Sequence, residues 1–196
     1  MAEAALAARP AFTPAPVARA GLRLIEPANP GFALVQARAG SEAALAATVQ
    51  DAFGLALPTV PARIANADVA FIATAPGQWF AELADGGFAF ADDLVATLAD
   101  HAHVSDASSG YAVATLEGSR AAELLQSGAF LDLEAAPNGY TASTVFAHIG
   151  ITLLRRLAPD RFGLVCFRSY ADSLAAALSA NAAARGLTLS IESGQP

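Results

Sequence analysis

Few residues in this chain could do chemistry, and none is grouped as a reaction would need. His101, His103 and Asp106 form the one cluster of metal-ligand types. Alternating histidines on a short extended segment point to opposite faces, which is poor geometry for one ion, so no metal site is expected. Ser105-Asp106, with Ser108-Ser109-Gly110 after it, reads as a turn whose side chains bond the backbone. A nucleophile there would need a base within reach, and the sequence places none beside it. The single cysteine, Cys166, lies in the apolar run from Phe162 to Phe167 and reads as a small buried hydrophobe. Standing alone, it excludes an intramolecular disulfide and any CxxC motif. From Thr141 to Arg168 there is one carboxylate, Asp160, and one imidazole, His148. Neither GxGxxG nor GxxxxGK[ST] occurs. Arg155-Arg156 ends a strand and reads as solvated charge, with an acidic partner surface as the alternative. Trp79, next to Phe80, reads as core. The expectation is a chain with no catalytic, cofactor-binding or metal-binding residue of its own.

The composition points the same way. At 196 residues the chain fits one large domain, or two small lobes sharing a core. The apolar fraction is 55%, but 51 alanines supply much of it, so a mean hydropathy of +0.43 overstates how greasy the surface is. The apolar excess left over is what a subunit with a permanent partner shows. There is no lysine; all 11 basic residues are arginine, and 18 acids set the net charge at −7. Attraction to nucleic acid is not expected from such a surface. No run approaches the ~18 apolar residues of a membrane span, and Glu3 stands where a signal peptide carries positive charge, so the expected location is cytoplasmic.

Periodicity and turn signals divide the chain. Residues 1–20 are rich in alanine and proline and are expected to form a flexible arm. Residues 21–190 read as a single domain of two α/β lobes. Leu22 to Glu26 and Phe32 to Arg38 read as strands separated by a Pro-Ala-Asn-Pro-Gly turn. Leu45, Val49 and Phe53 mark one face of a helix ended by Gly54 and Pro58. Asp68 to Thr74 is a strand, and Pro76 then suits the first turn of a short helix bearing Trp79, Phe80 and Leu83. Asp92 and Asp93 suit the positive end of another helix, with Leu94, Val95 and Leu98 facing inward. Tyr111 to Leu116 is a strand, after which Gly118-Ser119 opens a helix, just as Gly40-Ser41 does after an earlier strand. That recurrence is weak evidence of duplication. Strands are expected near 142–148, 150–156 and 162–168, the last apolar enough to be covered on both faces. Ser169 with Asp172 is a capping-box variant ahead of a final helix that Gly186 stops. Such an order predicts an α+β fold of ferredoxin-like units with antiparallel sheets.

Three segments together resemble the gamma subunit of heterotetrameric sarcosine oxidase. They are Ala75-Pro76-Gly77-Gln78-Trp79-Phe80; Val104-Ser105-Asp106-Ala107-Ser108 with Leu116-Glu117-Gly118 and Asp132-Leu133; and Asp160-Arg161-Phe162 with Arg168-Ser169-Tyr170. The resemblance covers roughly residues 21 to 186. Ala75 and Ala129 depart from it, each as one small residue for another. It implies a fold similar to the folate-binding domain of aminomethyltransferases. Those enzymes carry a glycine-rich turn and acidic residues where this chain has Ala147-His148-Ile149-Gly150-Ile151-Thr152. A pocket remnant near Trp79 and a turn at Gly150, without the acid that folate chemistry uses, is therefore expected. The resemblance also implies a non-catalytic structural role beside alpha, beta and delta subunits. FAD, FMN and NAD would sit in those partners, and the assembly would demethylate sarcosine to glycine, giving formaldehyde or methylene-tetrahydrofolate and hydrogen peroxide. The alternative is a stand-alone folate-binding or aminomethyl-transfer protein.

Overall fold

The pleat of each strand decides which layer its side chains join. A computed structural model of the chain describes residues 9–87 and 89–194. Its strands are β1 (Leu22–Glu26), β2 (Gly31–Ala37), β3 (Arg63–Ala65), β4 (Ala70–Ala75), β5 (Gln78–Leu83), β6 (Ala102–Asp106), β7 (Tyr111–Glu117), β8 (Thr141–Phe146), β9 (Ile149–Ala158), β10 (Arg161–Phe167) and β11 (Leu189–Ser193). The helices are α1 (Glu42–Phe53), α2 (Ala89–Leu98), α3 (Ala121–Gln126) and α4 (Ala171–Ala184). Six strands form one sheet in the order β11-β1-β7-β10-β9-β8, and five form the other in the order β3-β4-β5-β2-β6. Neighbours are antiparallel throughout, except that β1 and β11 run parallel. The class is α+β with antiparallel sheets.

Along β7, Ala112, Ala114 and Leu116 join a core with Leu124 of α3 and Leu174 and Leu178 of α4. In the other sheet, Ala33, Val35, Phe71, Trp79 and Ala81 pack with Leu45 and Val49 of α1 and Leu94 and Leu98 of α2. The opposite faces of the two sheets meet each other. Phe32, Ile72 and Phe80 reach across to Val165, with Tyr111 and Val113 beside them. The layers therefore run helix, sheet, sheet, helix. Each fully covered side chain in the middle contributes about 1.5–3 kcal/mol, and the Phe32 and Phe80 rings stack at 4.6 Å.

Several sequence expectations give way here. Trp79, Phe80 and Leu83 lie on strand β5, not on a helix. Pro76-Gly77 closes a two-residue hairpin between Ala75 and Gln78, with Gly77 at φ +70°. Both faces of β5 are covered, so the adjacent Trp and Phe hid the period of two. Val95 is 41% exposed and does not face inward. The β8–β9 turn falls at Ala147-His148, both at positive φ (46° and 73°), while Gly150 lies within β9. Glycine is the usual turn signal, and here two residues with side chains take the left-handed conformation instead. Strands β3 and β11 carried no clear signal. No side chain caps α4 at its start; a 3-10 turn, Arg168–Tyr170, precedes it, and Asp172 accepts a hydrogen bond from Thr13 N at 2.8 Å.

The loose arm is also corrected from residue 9 onward; residues 1–8 lie outside the described residues. Phe12 is 1% exposed within the core of the six-stranded sheet. The buried Glu26 carboxylate accepts from Ala11 N at 2.8 Å and from Phe12 N at 3.0 Å. Ala15 then exchanges two 3.0 Å backbone hydrogen bonds with Ile191, covering the open edge of β11. Composition suggested looseness, but one buried carboxylate and one unpaired strand edge order this segment. Glu26→Ala is expected to cost about 2–3 kcal/mol, since two backbone donors lose a charged acceptor. Urea denaturation reads the loss, and limited proteolysis should cut first within residues 9–20. An unchanged midpoint and an uncut arm would contradict this.

Candidate functional site

Glu82 sits on β5 of one sheet and Arg155 on β9 of the other, and their side chains meet between the layers. Arg155 Nη1 contacts Glu82 Oε2, while Arg63 Nε of β3 donates to Glu82 Oε1 at 2.8 Å. Arg155 has 3% of its side chain exposed, Glu82 15% and Arg63 28%. Two guanidiniums thus share one carboxylate. Burial and the neighbouring charge of Arg63 push Arg155 down to about 9, so it is still a cation at neutral pH. Arg155 Nε is buried without a hydrogen-bond partner.

Room for that guanidinium comes from Gly163, which pairs with Arg155 across β9 and β10. A Cβ at Gly163 would lie 2.6 Å from Arg155 Nε and Nη2. A glycine inside a strand marks such an approach, and Gly163 carries that signal in the sequence. The neighbouring arginine has a separate task. Arg156 donates to the carbonyl oxygens of Leu133, Glu134 and Ala136, and lies 5.9 Å over the Phe162 ring. The expectation of solvated charges at Arg155-Arg156 is therefore wrong for both residues. Alternation along β9 sends one between the sheets and the other onto a loop.

The triad borders a cleft of about 310 Å³ between the sheets. Its walls include Ile25, Pro30, Phe32, Val69, Val113 and Leu157, and Glu117 and Arg161 stand at one side, 2.9 Å apart. Neither Trp79 nor Gly150 lines this cleft. Trp79 is covered beneath α1 and α2, with Nε1–H donating to Pro58 O at 2.8 Å. The cleft lies between the sheets and apart from those two residues, because β5 turns Trp79 toward the helices and Glu82 toward the other sheet.

The remaining sequence candidates stay apart. His103 lies on β6 with its Nε2 3.2 Å from Arg38 Nη1, and both groups are exposed. Asp106 Oδ1 accepts from Ser108 N at 2.9 Å, and Ser108 Oγ donates to Phe32 O at 3.2 Å, the backbone-bonding turn read from the sequence. Cys166 is buried and pushed up to about 11 by burial and by Glu26, so it stays a thiol. His148 occupies its hairpin tip and Asp160 an exposed turn. Among the described residues, no three His, Cys, Asp or Glu side chains converge as a metal site. The cleft brings arginines and glutamates together, and that geometry can hold an anion against arginine. Gly163→Ala, mild at most strand positions, should displace the Arg155 guanidinium from Glu82 and cost about 3–5 kcal/mol. Urea denaturation measures this, and a loss under about 1 kcal/mol would show that the guanidinium does not need the vacancy.

The comparisons with known proteins agree with this fold. A chain of the heterotetrameric sarcosine oxidase from Corynebacterium sp. U-96, in complex with pyrrole 2-carboxylate, superposes with a TM-score of 0.69 at 24% identity, over 83% of this chain and 84% of that one. The glycine cleavage system aminomethyltransferase T from Bartonella henselae superposes with a TM-score of 0.61 at 15% identity, over 89% of this chain. The present chain spans 48% of that enzyme's length. No curated protein matches the sequence. The model of the sarcosine oxidase, gamma subunit family matches residues 37–184, most of the chain and all the strands from β3 to β10. This chain belongs to the sarcosine oxidase gamma subunit family.

Proposed function

We propose that the chain is a non-catalytic, structural subunit of a heterotetrameric sarcosine oxidase, acting beside alpha, beta and delta subunits in the cytoplasm. The match to the gamma subunit family over residues 37–184 carries this reading. The assembly would oxidatively demethylate sarcosine to glycine, release the one-carbon unit as formaldehyde or methylene-tetrahydrofolate, and form hydrogen peroxide. FAD, FMN and NAD would be bound by the partner subunits. This chain would supply packing surface.

The site inventory supports a structural role. The cleft's carboxylates, Glu82 and Glu117, are each held by arginine, and its walls offer no imidazole, thiol or amine. The surface supports a partnered chain. Phe130 is 99% exposed, and Tyr111, Phe167 and Tyr170 form an aromatic series, with the latter two about half exposed. Aromatic side chains of this kind anchor interfaces when covered.

Affinity purification of the tagged chain from its host tests the reading. The expected eluate is a stoichiometric complex that absorbs in the flavin bands and consumes oxygen with sarcosine. The chain expressed alone is expected to carry no flavin and consume none. Recovery of a monodisperse monomer without partners, or flavin retained by the isolated chain, would contradict the proposal.

A further inference from the structure

In a protein of net charge −7, the cleft between the sheets carries the opposite sign. Its walls hold three guanidiniums, of Arg63, Arg155 and Arg161, against the two carboxylates of Glu82 and Glu117. The excess positive charge lies where water is partly displaced, since Arg155 and Arg63, with 3% and 28% of their side chains exposed, share the single Glu82 carboxylate. A buried cation without its own counter-ion is costly, and a negative occupant would relieve that cost. Arg63 supplies the contact. Its Nε donates to Glu82 Oε1 at 2.8 Å, and its two terminal nitrogens take no part in that hydrogen bond. A terminal pair of guanidinium N–H groups is the fork that receives a carboxylate in two parallel hydrogen bonds.

We propose that this cleft binds a compact monocarboxylate, held by the Arg63 fork, with its apolar body against the Ile25, Pro30, Phe32 and Val113 walls. The size fits, because about 310 Å³ lies at the small end of ligand pockets. The charge fits as well. One excess positive charge matches a monoanion, while Glu82 and Glu117 repel a dianion such as phosphate. The apolar walls favour a ligand with a hydrocarbon or aromatic body over an inorganic ion. This site is independent of the structural role proposed above and would hold whether or not the chain sits in an oxidase.

Benzoate and its uncharged counterpart benzamide are the probes, titrated into the full-length chain by calorimetry at low salt. Benzoate is expected to bind with a Kd of about a millimolar or tighter, and benzamide at least about tenfold more weakly, because the charge-assisted pair of hydrogen bonds is lost. Arg63→Met should remove the preference for benzoate, while Arg63→Lys, which keeps the charge without the fork, should retain part of it. Equal affinity for the two probes, no heat from benzoate up to 10-fold above that Kd, or unchanged benzoate binding in Arg63→Met would each overturn the proposal. If Arg63→Met fails to fold, the benzoate and benzamide comparison on the native chain still decides the matter.

Discussion

Two sheets that each carry their own helices need a reason to stay together, and the Arg155–Glu82–Arg63 triad is the polar part of it. Arg155 comes from the six-stranded sheet, Glu82 and Arg63 from the five-stranded one. Removing these charges from water costs several kcal/mol per ion, so the triad is poor evidence of net stabilisation. Its effect is on specificity. Once buried, Arg155 tolerates only a sheet arrangement that brings Glu82 to it. The aromatic contact of Phe32, Phe80 and Tyr111 supplies attraction without such a demand on register. Gly163, which vacates the space Arg155 crosses, and Arg156, which gathers three carbonyls of the loop before β8, extend the same arrangement.

Much of the architecture was legible in the sequence, and what was missed has physical causes. Helix α1 announces itself through Leu45 and Val49, and β7 through strict alternation of covered positions. Strand β5 was illegible as a strand because both its faces are covered, so Trp79 and Phe80 look equally apolar. The β8–β9 turn was misplaced because Ala147 and His148 adopt a conformation that residue type disfavours. The N-terminal segment looked loose because its order depends on Glu26 and Ile191, one strand and one whole chain length away. At the site, the pair Arg155-Arg156 looked solvated because sequence does not show a distant Glu82. The strand-interior Gly163 was the available hint.

The likeness to an aminomethyltransferase is a likeness of fold. This chain covers about half of that enzyme's length and shares its arrangement of strands. Where its strands frame the cleft, the ionised side chains are those of Arg63, Arg155 and Arg161 against Glu82 and Glu117. A fold can be kept for its surface while a site on it is lost or replaced.

Arg155 is held between the sheets by Glu82, and removing the partners in order tests this most directly. Glu82→Leu alone should cost about 3–5 kcal/mol, because it strands a buried cation. Adding Arg155→Met to Glu82→Leu should recover most of that loss, leaving the double variant within about 1–2 kcal/mol of the native chain. Measured by urea denaturation, such strong coupling is the predicted result. Additive costs, or a Glu82→Leu variant as stable as the native chain, would mean that the sheets are held by their apolar contacts alone.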